Sequence, residues 1–460
     1  MKRILLILTA FVLSVTVLSA EKPNIVLIIA DDATYRDLEV FGGQAKTPHL
    51  NKLADEGLKL NQCFQAAPMC SPTRHNLYTG IYPVKSGAYP NHTYVKDGVK
   101  SLPHYLKPLG YRIALSGKTH INPKASFPFE YSDAPSPDGG NKKGDIDFKA
   151  IDSLFKECSD GSAPFCLIVA SKEPHSPLNR GDPSAYPVDK LSLRPFHVDT
   201  PEMRTEFSKY LAEITVFDQQ VGQTMSLLDK YGLRENTLVL VLTEQGNAFS
   251  HAKWSCYEDG VKSGAIVRWP GEVEAGSETD AVVEYVDVVP TFLEIAGVEA
   301  PEVLDGKSFV PVLKGLADSH KDYVYALHTT IGINNNNGGD FGIRAIRSSK
   351  YRYIWNLNPE GQFQCAVDGN KWFRSWVKKA ESGDPNAIDI ISRYRNRPEV
   401  ELYDVVNDPD NLVNLAGDPK YAAVKKSLKT RLEAWMENQG DLGRETERNA
   451  ESRLFKNRKS

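Results

Sequence analysis

The sequence predicts an α/β fold: a large, mostly parallel β-sheet flanked by helices, then a smaller C-terminal antiparallel sheet with a C-terminal helix. Two observations predict the large sheet. Four short apolar runs lack the alternation of half-exposed strands, and amphipathic helical patterns separate them. A third observation, the change to alternating and turn-rich segments after Leu327, predicts the smaller unit. We expect a signal peptide over residues 1–20, a large catalytic domain over 21–327 and a smaller α+β subdomain over 328–460.

The first segment has the charge, length and flanks of a secretory signal peptide. Lys2 and Arg3 precede an apolar run that ends in small residues, and Pro23 follows soon after. The alternative is a membrane anchor, but the run is short for a membrane span. We therefore expect an exported protein, periplasmic or extracellular, that is cleaved near Ser19 or Ala20 and is not stably inserted in a membrane.

The charge balance is that of an ordinary globular protein. The chain of 460 residues has 55 Lys and Arg against 59 Asp and Glu, a formal net charge of −4. Because there is no overall basic field, we expect no nucleic-acid partner.

The four apolar runs are predicted to be parallel strands, and each ends at polar residues with catalytic potential. The runs cover residues 24–30, 111–116, 165–171 and 236–243. They are followed by Asp31-Asp32, Gly117-Lys118-Thr119-His120, Glu173-Pro174-His175 and Glu244-Gln245-Gly246. Ligands of open α/β sheets bind outside the carboxyl ends of the strands. We therefore expect these four clusters to meet at one edge of the sheet.

Helical patterns lie between the strands. Residues 47–60 and 204–232 place apolar side chains on one helical face. Each segment also contains a glycine typical of a helix C-terminus, Gly57 and Gly232. The large domain is therefore predicted to alternate β and α units.

The C-terminal unit has a different pattern. Residues 343–357 alternate like antiparallel strands, and residues 421–438 have the periodicity of an amphipathic helix. The basic segment after it, residues 444–460, is predicted to fray. Residues 333–340, rich in asparagine and glycine, are expected to form either a flexible surface turn or a polar lip over the site.

An all-oxygen ligand set can be assembled from two of the strand ends. Asp31, Asp32 and Glu244 supply carboxylates, and Gln245 supplies an amide oxygen. Such ligands suit a hard cation such as Ca²⁺ or Mg²⁺. Zinc is disfavoured because the set includes neither a histidine pair nor a cysteine.

Five further side chains would surround that metal with positive charge and proton donors: Arg74, Lys118, His120, His175 and Lys253. A basic ring of this kind holds the charge on an oxyanion ester while the group passes to a nucleophile. We therefore expect the substrate to be a sulfate or phosphate ester.

Cys70 precedes Ser-Pro-Thr-Arg at the start of a predicted helix, where Pro72 suits the first turn. The positive end of a helix stabilises an anionic or metal-bound oxygen, whereas a thiolate is a poor ligand for a hard cation. An oxygen at this position would be a better ligand for a hard cation than the thiol sulfur. The six cysteines are widely scattered and do not indicate a disulfide framework.

These segments together resemble the formylglycine-dependent sulfatases, the type I sulfatases of the alkaline phosphatase superfamily. The CSPTR segment (residues 70–74) resembles their C-x-P-S/T-R motif, with Thr79-Gly80 following it. Residues 110–120 resemble G-Y-x-x-x-x-x-G-K-x-H, and residues 401–416 resemble a C-terminal family segment. The resemblance implies an alkaline-phosphatase-like fold, sulfatase activity, and oxidation of Cys70 to formylglycine by a maturation enzyme.

The resemblance also implies roles for the basic residues. Formylglycine would be hydrated to a diol, of which one oxygen contacts the metal and attacks sulfur while the alcohol leaves from the opposite side. His120 would take the proton of the second hydroxyl as sulfate is released. Arg74 and Lys118 would hold the diol, and Lys253 would bind the sulfate oxygens. His175 is the candidate acid that protonates the leaving alcohol.

The implied metal ligands are Asp31, Asp32, Cys70 in its formylglycine form, Glu244 and Gln245. Many family members have Ser-Asp-His-Gly or Ser-Asp-Asn-Gly where this chain has Thr-Glu-Gln-Gly, at residues 243–246. Oxygen ligation is retained, with Ca²⁺ expected and Mg²⁺ as the alternative.

The following segment, residues 247–271, resembles sulfatases that act on sulfated sugars, including the sulfamidase-like branch. His251 is therefore expected to contact the sugar, whereas core packing is favoured for Trp254. The expected function is hydrolysis of sulfate esters on a carbohydrate or polysaccharide. The alternatives are hydrolysis of N-sulfoglucosamine, hydrolysis of a phosphomonoester or phosphonate on the same fold, and non-catalytic glycan binding.

Overall fold

The structure, a computed structural model, describes residues 22–135, 143–333 and 340–458. The predicted signal peptide and most of the predicted asparagine-rich loop lie outside these ranges. Within them, no helix combines the length and the apolar character that crossing a membrane requires.

The described residues form fifteen β-strands. In chain order they are β1 (Asn24–Ile29), β2 (Leu58–Phe64), β3 (Arg112–Gly117), β4 (Glu130–Ser132), β5 (Ala134–Pro135), β6 (Lys143–Asp145), β7 (Phe165–Ala170), β8 (Thr237–Leu242), β9 (Lys262–Arg268), β10 (Ser277–Thr279), β11 (Val283–Glu284), β12 (Val324–His328), β13 (Ile343–Arg347), β14 (Tyr351–Asn356) and β15 (Val400–Asp404).

The same ranges contain thirteen α-helices. They are α1 (Pro48–Asp55), α2 (Cys70–Thr79), α3 (Pro83–Ser86), α4 (Leu102–Leu106), α5 (Phe148–Cys158), α6 (Pro201–Lys230), α7 (Glu258–Val261), α8 (Val288–Ile295), α9 (Val310–Leu313), α10 (Lys371–Glu381), α11 (Pro385–Arg395), α12 (Ala422–Gln439) and α13 (Arg444–Arg448).

The large sheet has the order β10-β2-β9-β8-β1-β7-β3-β4, and β11 also pairs with β2. Strand β9 is antiparallel to β8 and β2, and the other neighbours are parallel. The four predicted strands are β1, β3, β7 and β8, which lie side by side in the middle of the sheet. The predicted large, mostly parallel sheet is therefore confirmed.

Strand β1 explains why these runs are apolar throughout. Val26 and Ile28 pack into the hydrophobic core on one face of the sheet, and Ile25, Leu27 and Ile29 pack into the core on the other. Each of these side chains is fully buried, and such burial contributes about 1.5 to 3 kcal/mol per residue. A polar residue at any of the five positions would therefore be costly.

The two predicted helices are present as α1 and α6, and the C-terminal end of α1 differs from the prediction. Helix α6 begins after Thr200, whose hydroxyl accepts a hydrogen bond from the Met203 N–H at 3.2 Å. Helix α1 ends at Asp55, and the predicted last residues, from Leu58 onward, belong to β2. At Gly57 a Cβ atom would lie 2.2 Å from the carbonyl oxygen of Val267, so glycine allows the chain to turn closely against β9.

The smaller sheet has the order β12-β13-β14-β15 and is antiparallel throughout. Helix α12 covers it, with Leu428 and Leu432 in the same hydrophobic cluster as Ile346 and Tyr353. The predicted antiparallel sheet with a C-terminal helix is confirmed. Strand β12 begins before the predicted domain boundary at 327/328, and the division into two domains stays a prediction.

The prediction of a frayed C-terminal tail is wrong for the described part. Residues 444–458 form α13 and further turns that dock on the loop between α3 and α4. The backbone N–H of Phe455 donates to the His92 carbonyl at 2.8 Å, and Leu454 is buried. Backbone pairing and one apolar anchor outweigh the basic composition of the segment.

A buried carboxylate joins the smaller sheet to the large one. Glu258, in α7, lies 2.6 Å from Nη2 of Arg352 and 3.1 Å from Nε of Arg347. Burial by itself would raise the pKa of Glu258, but the two guanidinium groups lower it from 4.5 to about 2. The ion pairs therefore stabilise the contact between α7 and strands β13 and β14.

We expect Glu258→Gln to lower the free energy of unfolding by about 3 to 5 kcal/mol at pH 7, because it leaves two buried guanidinium groups without their carboxylate. Glu433→Gln, in an exposed pair with Lys429, is the control and should cost less than about 1 kcal/mol. Urea denaturation followed by circular dichroism measures both.

The same pair predicts a pH dependence. Because the folded-state pKa of Glu258 is depressed, its stabilisation is present above about pH 4.5 and is lost as the pH falls toward 2. The difference between wild type and Glu258→Gln should therefore shrink in that window. A difference that stays constant from pH 7 to pH 3 would contradict this assignment.

Candidate active site

The predicted strand-end residues meet at one edge of the sheet, as expected. One side-chain atom each of Asp31, Asp32, Cys70 and Glu244 lies within 4.8 Å of the others, and all four side chains are buried. Asp31, Cys70 and His175 form a second, overlapping group of this kind. The sheet thus brings together residues that are far apart in the sequence.

The turns after the strands use an unusual backbone conformation. Asp32, His120 and Glu244 have φ angles of 71°, 47° and 61°, in the left-handed region. Such a conformation costs a non-glycine residue about 1 kcal/mol or more, and it is common at functional sites. At Gly117, φ is 100° and a Cβ would lie 2.1 Å from the Ala170 carbonyl oxygen, so only glycine fits.

Cys70 is the first residue of α2, as predicted. Its Sγ lies 3.4 Å from Oδ1 of Asp31 and 3.7 Å from Oδ1 of Asp32. Burial, reinforced by the Asp31 carboxylate, raises the pKa of Cys70 to about 12. The unmodified side chain is therefore a protonated thiol at neutral pH, a poor nucleophile and a poor ligand for a hard cation.

Each buried carboxylate has its own cation. Lys118 Nζ contacts Asp31, and Lys253 Nζ donates to Oδ2 of Asp32 at 2.6 Å. Arg74 Nε lies 2.6 Å from Oε1 of Glu244. The residues of these three pairs come from the ends of β1 and β8, from helix α2 and from the loops after β3 and β8.

The carboxylates differ in their protonation. Burial by itself would raise the pKa of Asp31, but Lys118, then His175, hold it well below its usual range. Burial raises the pKa of Glu244 well above its usual range despite Arg74, and the Asp31 charge adds to this effect. A cation bound between them would favour the ionised form of both.

The donor set fits a hard cation. Oε2 of Glu244 and Oε1 of Gln245 are buried oxygens without a hydrogen-bond partner in the described part of the chain. Nε2 of Gln245 faces the cluster, 2.5 Å from Oδ1 of Asp32 and 3.2 Å from Sγ of Cys70. Rotation of the amide would present its oxygen to the same position. Three carboxylates and one amide suit Ca²⁺ or Mg²⁺.

The two predicted catalytic histidines lie at the open side of the cluster. His175 Nδ1 donates to the Ser176 carbonyl at 2.7 Å, and its Nε2 lies 3.8 Å from Oδ2 of Asp32. Burial lowers the pKa of His175, and the two aspartates act in the opposite direction. His120 Nε2 lies 2.9 Å from Nδ1 of His92.

A cleft of about 910 Å³ opens onto Asp31, Lys118, His120 and His175. Its lining also includes residues that the sequence analysis did not single out: Lys124, Tyr131, Asp133, Lys172, Asn179 and Arg180. Lys172 directly follows the apolar run at residues 165–171, which was a usable signal. Tyr131 lies in β4, and the remaining four come from connecting segments without a recognisable pattern. The cleft is polar and wide enough for a sugar ring.

His251, the predicted sugar contact, is not brought to this cleft. Its ring is buried and stacked between Phe196 and Tyr257, at 4.8 Å from each ring centroid. Burial lowers its pKa to about 3, so it is a neutral packing residue at pH 7. Trp254 is also buried, with Lys253 Nζ 4.7 Å from its ring centroid.

An α/β sheet that gathers carboxylates, cations and a helix N-terminus at its carboxyl edge is the arrangement of an oxyanion-ester hydrolase. Residues 23–298 match the family described as Sulfatase, and residues 247–361 match N-sulphoglucosamine sulphohydrolase, C-terminal. The chain belongs to the sulfatase family, and it is a sulfuric ester hydrolase.

Two relatives illustrate the similarity. An ulvan-active sulfatase of Formosa agariphila is 32% identical over 431 residues, covering 92% of this chain and 82% of the relative. The N-sulphoglucosamine sulphohydrolase of Homo sapiens is 26% identical over 463 residues, covering 90% of each chain.

A solved structure has the same fold. That protein was solved in complex with its substrate, D-glucosamine-2-N,6-O-disulfate. It superposes on this chain with a TM-score of 0.70 at 19% sequence identity. The match covers 92% of this chain and 99% of the other. The predicted alkaline-phosphatase-like fold is thereby confirmed.

We expect Ca²⁺ or Mg²⁺ to raise the melting temperature of chelator-treated protein, because a ligand that binds only the folded state stabilises it. The gain is about 2.7 kcal/mol at a cation concentration 100 times Kd. Differential scanning fluorimetry with each cation measures the shift in melting temperature and shows whether Ca²⁺ or Mg²⁺ binds more tightly.

Asp32→Asn should abolish the cation-dependent shift, since it removes one carboxylate ligand. Asp133→Asn, in the lining of the cleft, is the matched control and should respond like wild type. An equal shift in Asp32→Asn and wild type would exclude this cluster as the cation site.

Proposed function

We propose that this chain is an exported sulfatase that hydrolyses sulfate ester groups of a sulfated carbohydrate, using formylglycine formed from Cys70 and a divalent cation. The observation that carries the proposal is the position of Cys70. It lies at the start of α2 among three carboxylates, where its own thiol is neutral and unreactive. Conversion to formylglycine would put oxygen where the surroundings favour oxygen.

The carbohydrate substrate is supported by the relatives and by the cleft. The relatives are described as acting on ulvan and on N-sulphoglucosamine, and the solved structure holds a sulfated glucosamine. The cleft beside His120 and His175 is open and polar, as an exported carbohydrate hydrolase would need. A screen of sulfated carbohydrates identifies the sugar and the position of the sulfate group.

Asp31, Asp32, Glu244 and Gln245 would hold the cation. When bound, the cation adds positive charge beside the attacking oxygen, which the formylglycine form of Cys70 supplies. Lys253, next to Asp32, would attract the sulfate group into the site, and Lys118, next to Asp31, would hold the formylglycine diol. Arg74, fully buried against Glu244, would fix that carboxylate and help to hold the diol.

The two histidines would move protons. His175 lies at the open side of the site, and the Ser176 carbonyl fixes its Nδ1 as the protonated nitrogen. Its Nε2 is therefore the atom that takes up a proton and gives it to the leaving alcohol. Asp32 lies nearby and would stabilise the positively charged imidazolium. His120 would accept a proton from the hydroxyl of the nucleophilic group.

The proposal implies one partner protein, a maturation enzyme that oxidises Cys70. Because Cys70 is buried once the chain has folded, the modification would have to precede folding. Export through the segment at residues 1–20 would then deliver the modified chain.

Hydrolysis of an N-sulfate is the second candidate function. The match of residues 247–361 to the C-terminal part of N-sulphoglucosamine sulphohydrolase favours it. The same site would serve, with nitrogen instead of oxygen as the leaving atom. Glucosamine sulfated only on nitrogen, compared with glucosamine sulfated only on oxygen, separates the two candidates.

We expect protein produced together with a maturation enzyme to contain an aldehyde at residue 70, measured by peptide mass spectrometry. It should release sulfate from at least one sulfated carbohydrate, whereas Cys70→Ala should release at least about 10⁴-fold less, because the nucleophile is missing. Cys63→Ala, at another buried cysteine, is the control. Release of phosphate from phosphomonoesters in place of sulfate would support the phosphatase alternative.

We expect His175→Ala to lose about 10²-fold or more in kcat on sulfate esters of alcohols with a high pKa, because general acid catalysis typically contributes this much. On aryl sulfates with good leaving groups the loss should be much smaller, since these need no proton. A series of esters with graded leaving groups measures the difference. Equal losses across the series would remove His175 from the acid role.

A further inference from the structure

The ring of His120 is held by a second histidine. Nε2 of His120 lies 2.9 Å from Nδ1 of His92, and the two ring centroids are 4.9 Å apart. Nδ1 of His120 is buried and has no hydrogen-bond partner among the residues that the structure describes. The contact with His92 is therefore the polar interaction that orients this imidazole.

We propose that His92 is a positioning residue for His120: Nδ1 of His92 accepts the Nε2–H of His120 and leaves the buried Nδ1 of His120 with a free lone pair. This inference rests on the proposed function, in which His120 is the base. A base must present an unprotonated nitrogen, and the bond to His92 determines which nitrogen that is.

The protonation states agree with this arrangement. Burial and the neighbouring Lys118 lower the pKa of His120 well below its usual value, and the same two causes lower the pKa of His92. Both rings are thus neutral at pH 7, and each carries one hydrogen. Two neutral imidazoles share one N–H···N hydrogen bond. Which ring donates in that hydrogen bond determines the tautomer of both rings.

The surroundings of His92 favour its role as acceptor. His92 is exposed, so water can accept a hydrogen bond from its Nε2–H. Nδ2 of Asn91 lies 3.5 Å from that nitrogen, beyond the usual length of a hydrogen bond, and imposes no opposite tautomer.

The C-terminal tail fixes the position of His92. The Phe455 N–H donates to the His92 carbonyl, and the Thr93 hydroxyl donates to the Arg453 carbonyl, both at 2.8 Å. Nη2 of Arg453 donates to the Tyr94 carbonyl, also at 2.8 Å. His92 itself has a φ of 56°, a conformation that needs such support.

A direct contact between His92 and the sugar is the competing explanation, since His92 is exposed near the cleft. The two explanations differ in their kinetics. A positioning residue changes kcat for every substrate, whereas a sugar contact changes KM for the carbohydrate and leaves a small aryl sulfate unaffected.

The test compares His92→Leu with His92→Asn in full-length protein of equal formylglycine content. Leucine fills the space without an acceptor, whereas the asparagine amide oxygen can replace Nδ1. We expect His92→Leu to lower kcat about tenfold on both an aryl sulfate and a sulfated carbohydrate. His92→Asn should recover to within about threefold of wild type.

Asp97→Asn, at an exposed position in the same loop, is the control and should match wild type. The proposal is overturned if His92→Leu has wild-type kcat, if its loss is confined to KM for the carbohydrate, or if His92→Asn is as impaired as His92→Leu.

A spectroscopic measurement tests the tautomer without requiring activity. The chain has 10 histidines, so ¹⁵N-histidine labelling gives a tractable spectrum, in which His120→Asn identifies the His120 signals. We expect the Nε2–H tautomer of His120 in wild type and a mixture in His92→Leu. An Nδ1–H tautomer in wild type would overturn the proposal. Because this result does not depend on sulfate release, it remains decisive even if the proposed function fails.

Discussion

The structure depends on balancing three buried carboxylates at one edge of the sheet. Asp31, Asp32 and Glu244 would repel one another at this separation, and burial makes each charge costly. One buried or nearly buried cation per carboxylate offsets the repulsion. A divalent cation would then make the site net positive, which attracts a sulfate ester. In the proposed function, the same charge balance would both stabilise the fold and favour an anionic substrate.

The smaller C-terminal unit contributes to this balance from a distance. Glu258 follows the loop that holds Gln245 and Lys253, and its backbone N–H donates to Oδ1 of Asn411 at 2.9 Å. Arg36, just after the two site aspartates, pairs with Asp259 and with Asp410. The segment after β15 thus fastens both loops that form the site. The family-like segment at residues 401–416 is far from Cys70 in the sequence and supports the site through these contacts.

The central strands and the site cluster were predictable because both follow from local rules. Fully apolar runs indicate parallel strands, and parallel strands place their carboxyl ends together. Strands β2 and β9 were not predicted, and the first residues of β2 were assigned to the helical pattern of residues 47–60 although Gly57 marks its end. Helices α10 and α11 also lay outside the predictions. His251 was misplaced because the resemblance of residues 247–271 to sugar sulfatases does not fix the direction of a side chain.

The docking of the tail was unpredictable for a related reason. The tail is basic and polar, and such a composition indicates how well a segment is solvated. It does not indicate which of its backbone groups form hydrogen bonds within the protein. Here Gly87 and His92, in the loop between α3 and α4, offer carbonyls to Arg453 and Phe455, and Leu454 is buried. That pairing extends to His92 and through it to His120. The strand ends thus supply the reactive groups, and segments remote in the sequence set their orientation.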